Sequence, residues 1–417
     1  MAKSRPPEFE VPPTAGLPPH WRELSPFVGM APERGDLARV AADFLGVQDA
    51  QVECSGTASL IVALTALRRL SGRRAVVVPA WTCPLVALAV AHCGLELRLC
   101  DLAPGSIDFD TASLARVCDS DTLAIVPTHL GGRVVDVDAA NAVARRVGAF
   151  VIEDAAQALG ARRNGRSVGF DGDAGFFSLA VGKGLTTYEG GVLVARDAVL
   201  RAEFARASSD TVPRRIGWEL KRSLELLGYH LFYRPSLLRF AYGAPLRRAL
   251  RHGDPVAAVG DDFPLAVPLH TLGRWRQSVG ARAFARLPAF LAASAARAQM
   301  RKARLARIVG VHVIDDGGNA QGTWPFLLLR LPDEAKRDAA LRTLWGSGAG
   351  VSRLFIHALP DYAYLADVVG RHGVPNARAL AATTLTISNS PWLDDARFEA
   401  ICAVLEAPAR GVVSATA

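Results

Sequence analysis

Residues 150–185 read FVIEDAAQALGARRNGRSVGFDGDAGFFSLAVGKGL. Two short apolar runs stand out, Phe150–Glu153 and Gly175–Ser178, each bounded by glycine, aspartate or small residues. Runs of that length and composition read as buried strands. The first leads directly into Asp154, and the second is followed within five residues by Lys183, set between two glycines. A carboxylate at one strand exit and a lysine just past another are the residues from which the rest of the chain is read.

Working outward, strand and helix patterns alternate. Upstream lie a helix over Gly56–Leu70, apolar on most faces and so buried, a strand over Ala75–Ala80, a helix over Pro84–Cys93 and a strand over Glu96–Cys100. A strand over Leu123–Pro127 and a helix over Val137–Val147 follow, and Gly191–Ala195 is a further strand. Strands alternating with helices predict an α/β fold with a mostly parallel sheet covered on both faces. Such sheets take ligands beyond the carboxyl ends of their strands.

Residues 214–262 break the alternation. Leu220, Leu224, Leu227 and Leu231 recur at helical spacing with Lys221, Arg222 and Glu225 between them, and Pro235 interrupts before a second apolar and basic stretch. A helical region over 270–310 has Pro288 as a joint. Then come a strand over Trp324–Leu331, a helix over Glu334–Trp345, a strand over Leu385–Ser388 and a helix over Asp394–Leu405. The expected layout is an irregular arm over 1–34, a large domain over 35–265 containing the segment 214–262, and a smaller α+β domain over 266–417.

Composition narrows the class. The chain has 417 residues and is half apolar, enough for two packed units and too apolar for a disordered polymer. The opening MAKSRPPEFEVPP lacks the apolar centre of a secretory signal, and no stretch is apolar over a membrane-spanning length. The six cysteines (54, 83, 93, 100, 118, 402) have no CxxC spacing, so no metal site or disulfide frame is expected and a cytoplasmic protein is. The net charge is +8, but nine Lys/Arg against two Glu between Arg214 and Arg251 account for +7 of it. The basic balance belongs to one segment, not to a nucleic-acid-binding surface.

Four local features carry chemistry, and each has a plainer reading. Ser55-Gly56-Thr57 opens the buried helix, where free N–H groups and the helix dipole suit a phosphate; alone it is an ordinary Ser cap. Asp154 at a strand exit can pair with a protonated ring nitrogen; alone it is a helix-capping Asp. Lys183, after the Ser178 turn, is a nucleophilic amine if partly desolvated; alone it is a surface lysine. Trp81 at the exit of AVVV can stack on a flat ring; alone it is a core aromatic. Together they amount to a phosphate cradle, a ring-nitrogen partner, a carbonyl-binding lysine and a stacking plane in one α/β segment.

With those residues in place, residues 50–200 resemble the DegT/StrS family of pyridoxal-5'-phosphate-dependent aminotransferases. The likeness rests on SGTASL (55–60), VVVPAWT (76–82), VPTHLGG (126–132), VIEDAAQALGA (151–161) and GDAGFFSLAVGKGL (172–185), with a weaker echo in LTISNSPWLDD (385–395). It implies the type I aminotransferase fold and a homodimer with sites at the subunit interface. It implies pyridoxal phosphate as cofactor, an amino-acid donor, glutamate, and a keto-sugar acceptor. By the resemblance Lys183 holds the cofactor and shuttles the proton. Asp154 pairs with the ring nitrogen, and Gln157 lies on the ring-hydroxyl side. Trp81 stacks on the ring, Gly56, Thr57 and Ser178 hold the phosphate, and His129, at a family position near the site, is a catalytic candidate.

Three departures stand against the family pattern. The GYN-type segment, whose Asn reaches the partner's phosphate, is replaced by DDFPLAVPLH (261–270); Tyr188 stands where glycine is usual; and 214–262 reads as an insertion. A basic amphipathic insertion fits an anionic membrane surface, a lipid-linked substrate or a nucleotide diphosphate, and equally a dimer-interface or lid element. A sugar dehydratase of the same fold carries His in place of the lysine, so Lys183 argues against it. A non-catalytic cofactor-binding regulator is a further alternative, although residues 1–34 are too short and too proline-rich to look like an attached DNA-binding module. GxxxxGK[ST] and GxGxxG are absent, against a P-loop or dinucleotide enzyme.

Overall fold

The computed structural model describes residues 7–25 and 36–407. The large sheet contains β1 (Gln51–Glu53), β2 (Ala75–Pro79), β3 (Glu96–Cys100), β4 (Thr122–Ile125), β5 (Phe150–Asp154), β6 (Ala174–Ser178) and β7 (Gly191–Ala195), in the order β1-β7-β6-β5-β4-β2-β3. All pairs are parallel except the two that β7 makes, with β6 and β1. Strands β2, β4, β6 and β7 are buried along their whole length and β5 from its second residue on, as strands covered on both faces must be. The chain leaves β2 toward β3 and returns to β4, so the order reverses beside β2. That reversal opens a crevice at the carboxyl edge.

Helices α1 (Leu37–Leu45), α2 (Gly56–Leu70), α3 (Pro84–His92) and α4 (Val137–Val147) cover the sheet. The start of α2 is set by Ser55, whose hydroxyl accepts from Ala58 N–H. Its long apolar run is why ten of its residues are buried. A second, antiparallel sheet, in the order β8 (His312–Val313), β9 (Phe326–Arg330), β11 (Thr384–Ser388) and β10 (Val351–Ser352), forms the smaller domain.

The domain boundary expected at 265 does not match the packing. Helix α6 (Arg274–Phe284) lies on α1, and Leu272, Ala281 and Phe284 share a core with Leu37 and Leu45. Residues 355–381 also return to the large core, through Phe355, Leu359, Tyr362 and Leu380. Pro288 falls at the start of the next helix, α7 (Leu287–Leu305), where its missing N–H costs nothing. Packing assigns these segments by their apolar faces, which interleave the two units along the chain.

The segment 214–262 is divided between the units. Its first part is α5 (Ile216–Phe232), placed against the loop that follows Lys183; Leu246 and Ala258 of its second part lie in the small-domain core. The leucine row that predicted an amphipathic helix is present, but it faces outward: Ile216, Leu220, Leu224 and Leu231 are exposed, and Leu226 and His230 face inward. Within residues 7–25 the arm carries a short helix over Trp21–Leu24 and is packed down. Glu10 is buried against Arg247, and the backbone of Ala15 bonds to Pro325 and that of Leu17 to Gly184. Residues 1–6 and 26–35 of the arm lie outside the described residues.

Candidate active site

A cavity of about 340 Å³ opens where β2, β4, β5 and β6 end. Ser55, Gly56, Thr57, His129, Asp154, Gln157, Ser178 and Lys183 all line it. Residues up to 128 positions apart in sequence meet here because parallel strands end at one edge.

One end is built for an anion. Gly56 and Thr57 are the first two residues of α2, and their N–H groups have no acceptor among the described residues. A Cβ on Gly56 would lie 3.1 Å from the Ser178 Cβ, so glycine lets α2 close on the end of β6. The result is a concave cup of backbone donors with two hydroxyl side chains, Thr57 and Ser178, on its rim.

Beside the cup stand the groups for a ring. Burial pushes the Asp154 carboxyl up to about 6, against the pull of the Ala156 N–H and of Lys183. A cation placed against this carboxylate would relieve that cost. Gln157 Oε1 accepts from Gly131 N–H at 2.6 Å, which leaves its NH2 for a ligand. Gly131 has φ 61°, a conformation glycine adopts freely.

His129 is fully committed. Its Nε2 lies 3.0 Å from Glu153 Oε2, and its Nδ1 accepts from Val135 N–H at 3.2 Å. Glu153 also accepts from Gly169 and Gly172 N–H, at 2.7 Å each. Burial opposes ionisation of Glu153, but His129 and these amides outweigh it and hold the carboxyl below its ordinary value. This pattern assigns the proton of a neutral imidazole to Nε2. Neither ring nitrogen is free to exchange a proton with a ligand, so the placement of His129 does not suit the catalytic role expected of it; it forms cavity wall.

Lys183 extends from a loop that turns through Gly182 and Gly184, at φ 82° and 81°. Burial lowers its pKa below the ordinary lysine range, with Cys83, Asp154 and Asp261 opposing the shift. A larger fraction of neutral amine near neutral pH follows, which is what attack on a carbonyl needs. Tyr188 in the same loop has φ 70°, in the left-handed region that favours glycine, at the position where the family pattern carries glycine.

Trp81 is a correction. It is wholly buried behind the wall, edge-on to Phe355 at 6.0 Å between centroids, and does not line the cavity. The two residues after it do, Thr82 and Cys83. The strand exit was identified rightly, but the chain turns so that the largest apolar side chain enters the core. Thr82 Oγ1 is buried with no partner among the described residues. Burial pushes the Cys83 thiol up to about 12 although Lys183 lowers it.

Other lining residues were not singled out from sequence: Thr128, Glu189, Arg222, Phe263, Val267 and Phe355. Thr128 could have been found by the strand-exit argument that found His129. Phe263 and Val267 come from the stretch that replaces the family's Asn-bearing segment, and no local signal marks them as cavity residues.

These residues fit pyridoxal phosphate. The cup matches its phosphate, Asp154 its ring nitrogen, Gln157 its hydroxyl, and Lys183 its aldehyde; the unpartnered Thr82 hydroxyl is the kind of polar atom a ligand satisfies.

Known proteins resemble this chain in sequence over about half its length and in fold over nearly all of it. Residues 25–229 match the model of the DegT/DnrJ/EryC1/StrS aminotransferase family. GDP-perosamine synthase of Caulobacter vibrioides is 34% identical over 219 residues, 52% of this chain and 57% of that protein. The L-glutamine:2-deoxy-scyllo-inosose aminotransferase of Streptoalloteichus tenebrarius is 36% identical over 214 residues, 50% of each chain. The matched stretch thus spans little more than half the length of these relatives. The fold extends further. The structure of 3-amino-5-hydroxybenzoic acid synthase superposes with a TM-score of 0.71 at 21% identity, covering 96% of this chain and 98% of that one. DesI, solved with its TDP-sugar product, gives 0.71 at 21%, covering 96% and 92%. Residues 25–229, the stretch that carries Lys183, Asp154 and the anion cup, are thus similar to the DegT/DnrJ/EryC1/StrS aminotransferase family.

Proposed function

We propose that this protein is a pyridoxal-phosphate-dependent aminotransferase that moves an amino group from an amino acid, glutamate, to a keto-sugar carried on a nucleotide or a lipid. The observation that carries the reading is the meeting of Lys183, Asp154 and the α2 cup in one cavity. When bound, the cofactor supplies an electron sink for the carbon that bears the amino group.

The chain's own residues do the rest. Gly56 and Thr57 N–H and the Thr57 and Ser178 hydroxyls fix the phosphate. Asp154 holds a proton on the ring nitrogen. Lys183 Nζ, with its lowered pKa, accepts and returns the proton at the substrate carbon. His129, locked by Glu153, keeps the wall in shape. Phe263, Val267 and Phe355 exclude water.

The cofactor reading is tested by the visible spectrum of purified protein given pyridoxal phosphate, before and after amino donor. A band that disappears with glutamate supports it; no band overturns it. The named relative that uses L-glutamine makes glutamine the comparison donor. Soluble nucleotide-linked keto-sugars and lipid-linked ones, offered in parallel, decide the carrier. A dehydratase on this fold would release water without consuming donor. A non-catalytic regulator would show the band but no turnover with any acceptor.

We further propose a homodimer that sits peripherally on the cytoplasmic face of a membrane. Among the described residues no helix is long and apolar enough to cross a membrane. The outward row of Ile216, Leu220, Leu224 and Leu231, flanked by Lys221 and the nearby arginines, supports contact with an anionic surface. Sedimentation with anionic vesicles, comparing the protein with a Leu220→Asp, Leu224→Asp variant, tests it. Loss of pelleting in the variant supports the membrane contact. No pelleting of the parent, with the variant falling from dimer to monomer, assigns the row to the dimer seam instead.

A further inference from the structure

We infer that Arg222, from the inserted helix of this chain, is the cationic partner of the cofactor's phosphate. The inference rests on the cofactor reading above and names a phosphate contact beyond the cup.

A helix N-terminus carries about half a positive charge, whereas a phosphate monoester carries about −1.5 to −2 at neutral pH. The cup alone leaves most of that charge uncompensated in a mostly apolar cavity, so a cation is needed at this end. Among the described residues that line the cavity, Lys183 and Arg222 are the side chains of fixed basic type. The Lys183 amine is committed at the carbonyl end. Arg222 remains.

Its position follows from the sheet. β1 and β7 are antiparallel with Glu53 opposite Gly191. Beyond that pair the Ser55 carbonyl, at the cap of α2, packs on Gly191, so closely that a Cβ there would lie 2.2 Å from it, two residues from Glu189. Glu189 lines the cavity there and is paired with Arg222 Nε at 2.5 Å. The guanidinium therefore lines the same cavity as the cup.

Arg222 is also fixed for the task. Its Nη1 donates to Glu225 at 2.7 Å, and its plane lies 5.0 Å from the Trp218 ring centroid. Its Nη2 makes no hydrogen bond among the described residues. Below it, the buried Arg276 donates to the backbone carbonyl of Glu189 at 2.7 Å and pairs with Glu219 of α5, so α5 and the lysine loop are tied together. The two carboxylates on Arg222 orient it, and both compete with a phosphate for its charge. That competition gives the proposal a sign that can be tested. The insertion then has a cofactor-binding role within its own chain, where the Asn-bearing segment of other family members is missing.

The experiment measures the affinity of the cofactor-free protein for pyridoxal phosphate and for pyridoxal, which lacks the phosphate, by absorbance titration, in the parent, Arg222→Gln and Glu225→Gln. Arg222→Gln should weaken pyridoxal phosphate by roughly ten- to hundred-fold, the worth of one hydrogen bond to a charged group, and leave pyridoxal within about twofold. Glu225→Gln, which removes one competing negative charge from the guanidinium, should tighten pyridoxal phosphate. Unchanged pyridoxal phosphate affinity in Arg222→Gln, equal weakening of both ligands, or weakening in both variants would overturn the inference, the last two pointing to a structural ion pair. A parent that binds neither ligand refutes the cofactor reading itself, a result distinct from all of these.

Discussion

Glu153 and His129 are hydrogen-bonded at 3.0 Å with both side chains wholly out of contact with solvent. They come from the ends of neighbouring parallel strands, and the pair stands directly behind the cavity. Glu153 takes His129 and two backbone amides, while the adjacent residue Asp154 turns the other way, into the cavity. Alternation along a strand separates a structural carboxylate from a functional one by a single position.

Glu153→Ala removes the acceptor of three buried donors. A loss of about 3–5 kcal/mol is expected, because each donor is left unpaired in a dry site. Urea denaturation measures it; a loss under about 1 kcal/mol would mean that water enters and replaces the carboxylate.

The same group sets part of the acid response. The folded-state pKa of Glu153 lies below its ordinary value of 4.5, so its stabilisation is present above pH 4.5 and fades as pH falls through the folded value. Glu153→Gln should flatten the acid limb of a melting-temperature profile below that pH.

Asp154 acts in the opposite sense. Its pKa is raised from 3.8 to about 6, so the cofactor-free protein gains stability as pH falls from about 6 toward 4 and pays the cost of a buried charge above that window. Asp154→Asn should remove this slope. Bound cofactor should remove it too, since a cation on the ring nitrogen compensates the carboxylate. An unchanged slope in Asp154→Asn would show that another group is responsible.

Lys183→Ala should abolish the visible band of the lysine-bound cofactor and reduce amino transfer by roughly 10²–10⁴-fold or more, the range of a general acid–base group. Full turnover in the variant would remove Lys183 from the mechanism.

Trp81→Ala separates packing from stacking. Being wholly buried and off the cavity, it should cost about 3–5 kcal/mol in stability while the cofactor spectrum stays in place. A shifted spectrum with little loss of stability would return Trp81 to the ring.

Gly56→Ala places a Cβ 3.1 Å from Ser178 Cβ. The neighbours must move by a few tenths of an ångström, which opens the cup. Weaker pyridoxal phosphate binding with pyridoxal unaffected is the expected outcome of a titration.

The fold was legible in the sequence wherever the signal was local. Runs such as AVVVP and FVIED are continuous and β-branched because their strands are covered on both faces, and Ser55, Asp136 and Asp197 cap the helices that follow them. The alternation of such runs fixed the sheet class, and Asp154 and Lys183 could be placed at strand exits before any strand was paired. Direction at those exits was not legible. Trp81 and Thr82 are adjacent, and which of them faces the cavity depends on how the chain leaves β2 against Phe355, 274 residues away.

What the sequence by itself determined is the set of chemical groups and their places on strand ends, because strand period and helix capping act over a few residues. The tertiary structure alone decided which groups share the cavity. It locked both nitrogens of His129, turned the leucines of α5 outward, and brought Arg222 beside Glu189. Each of these depends on contacts between segments far apart in the chain, and on which apolar faces bury each other, and neither is encoded within one stretch of sequence.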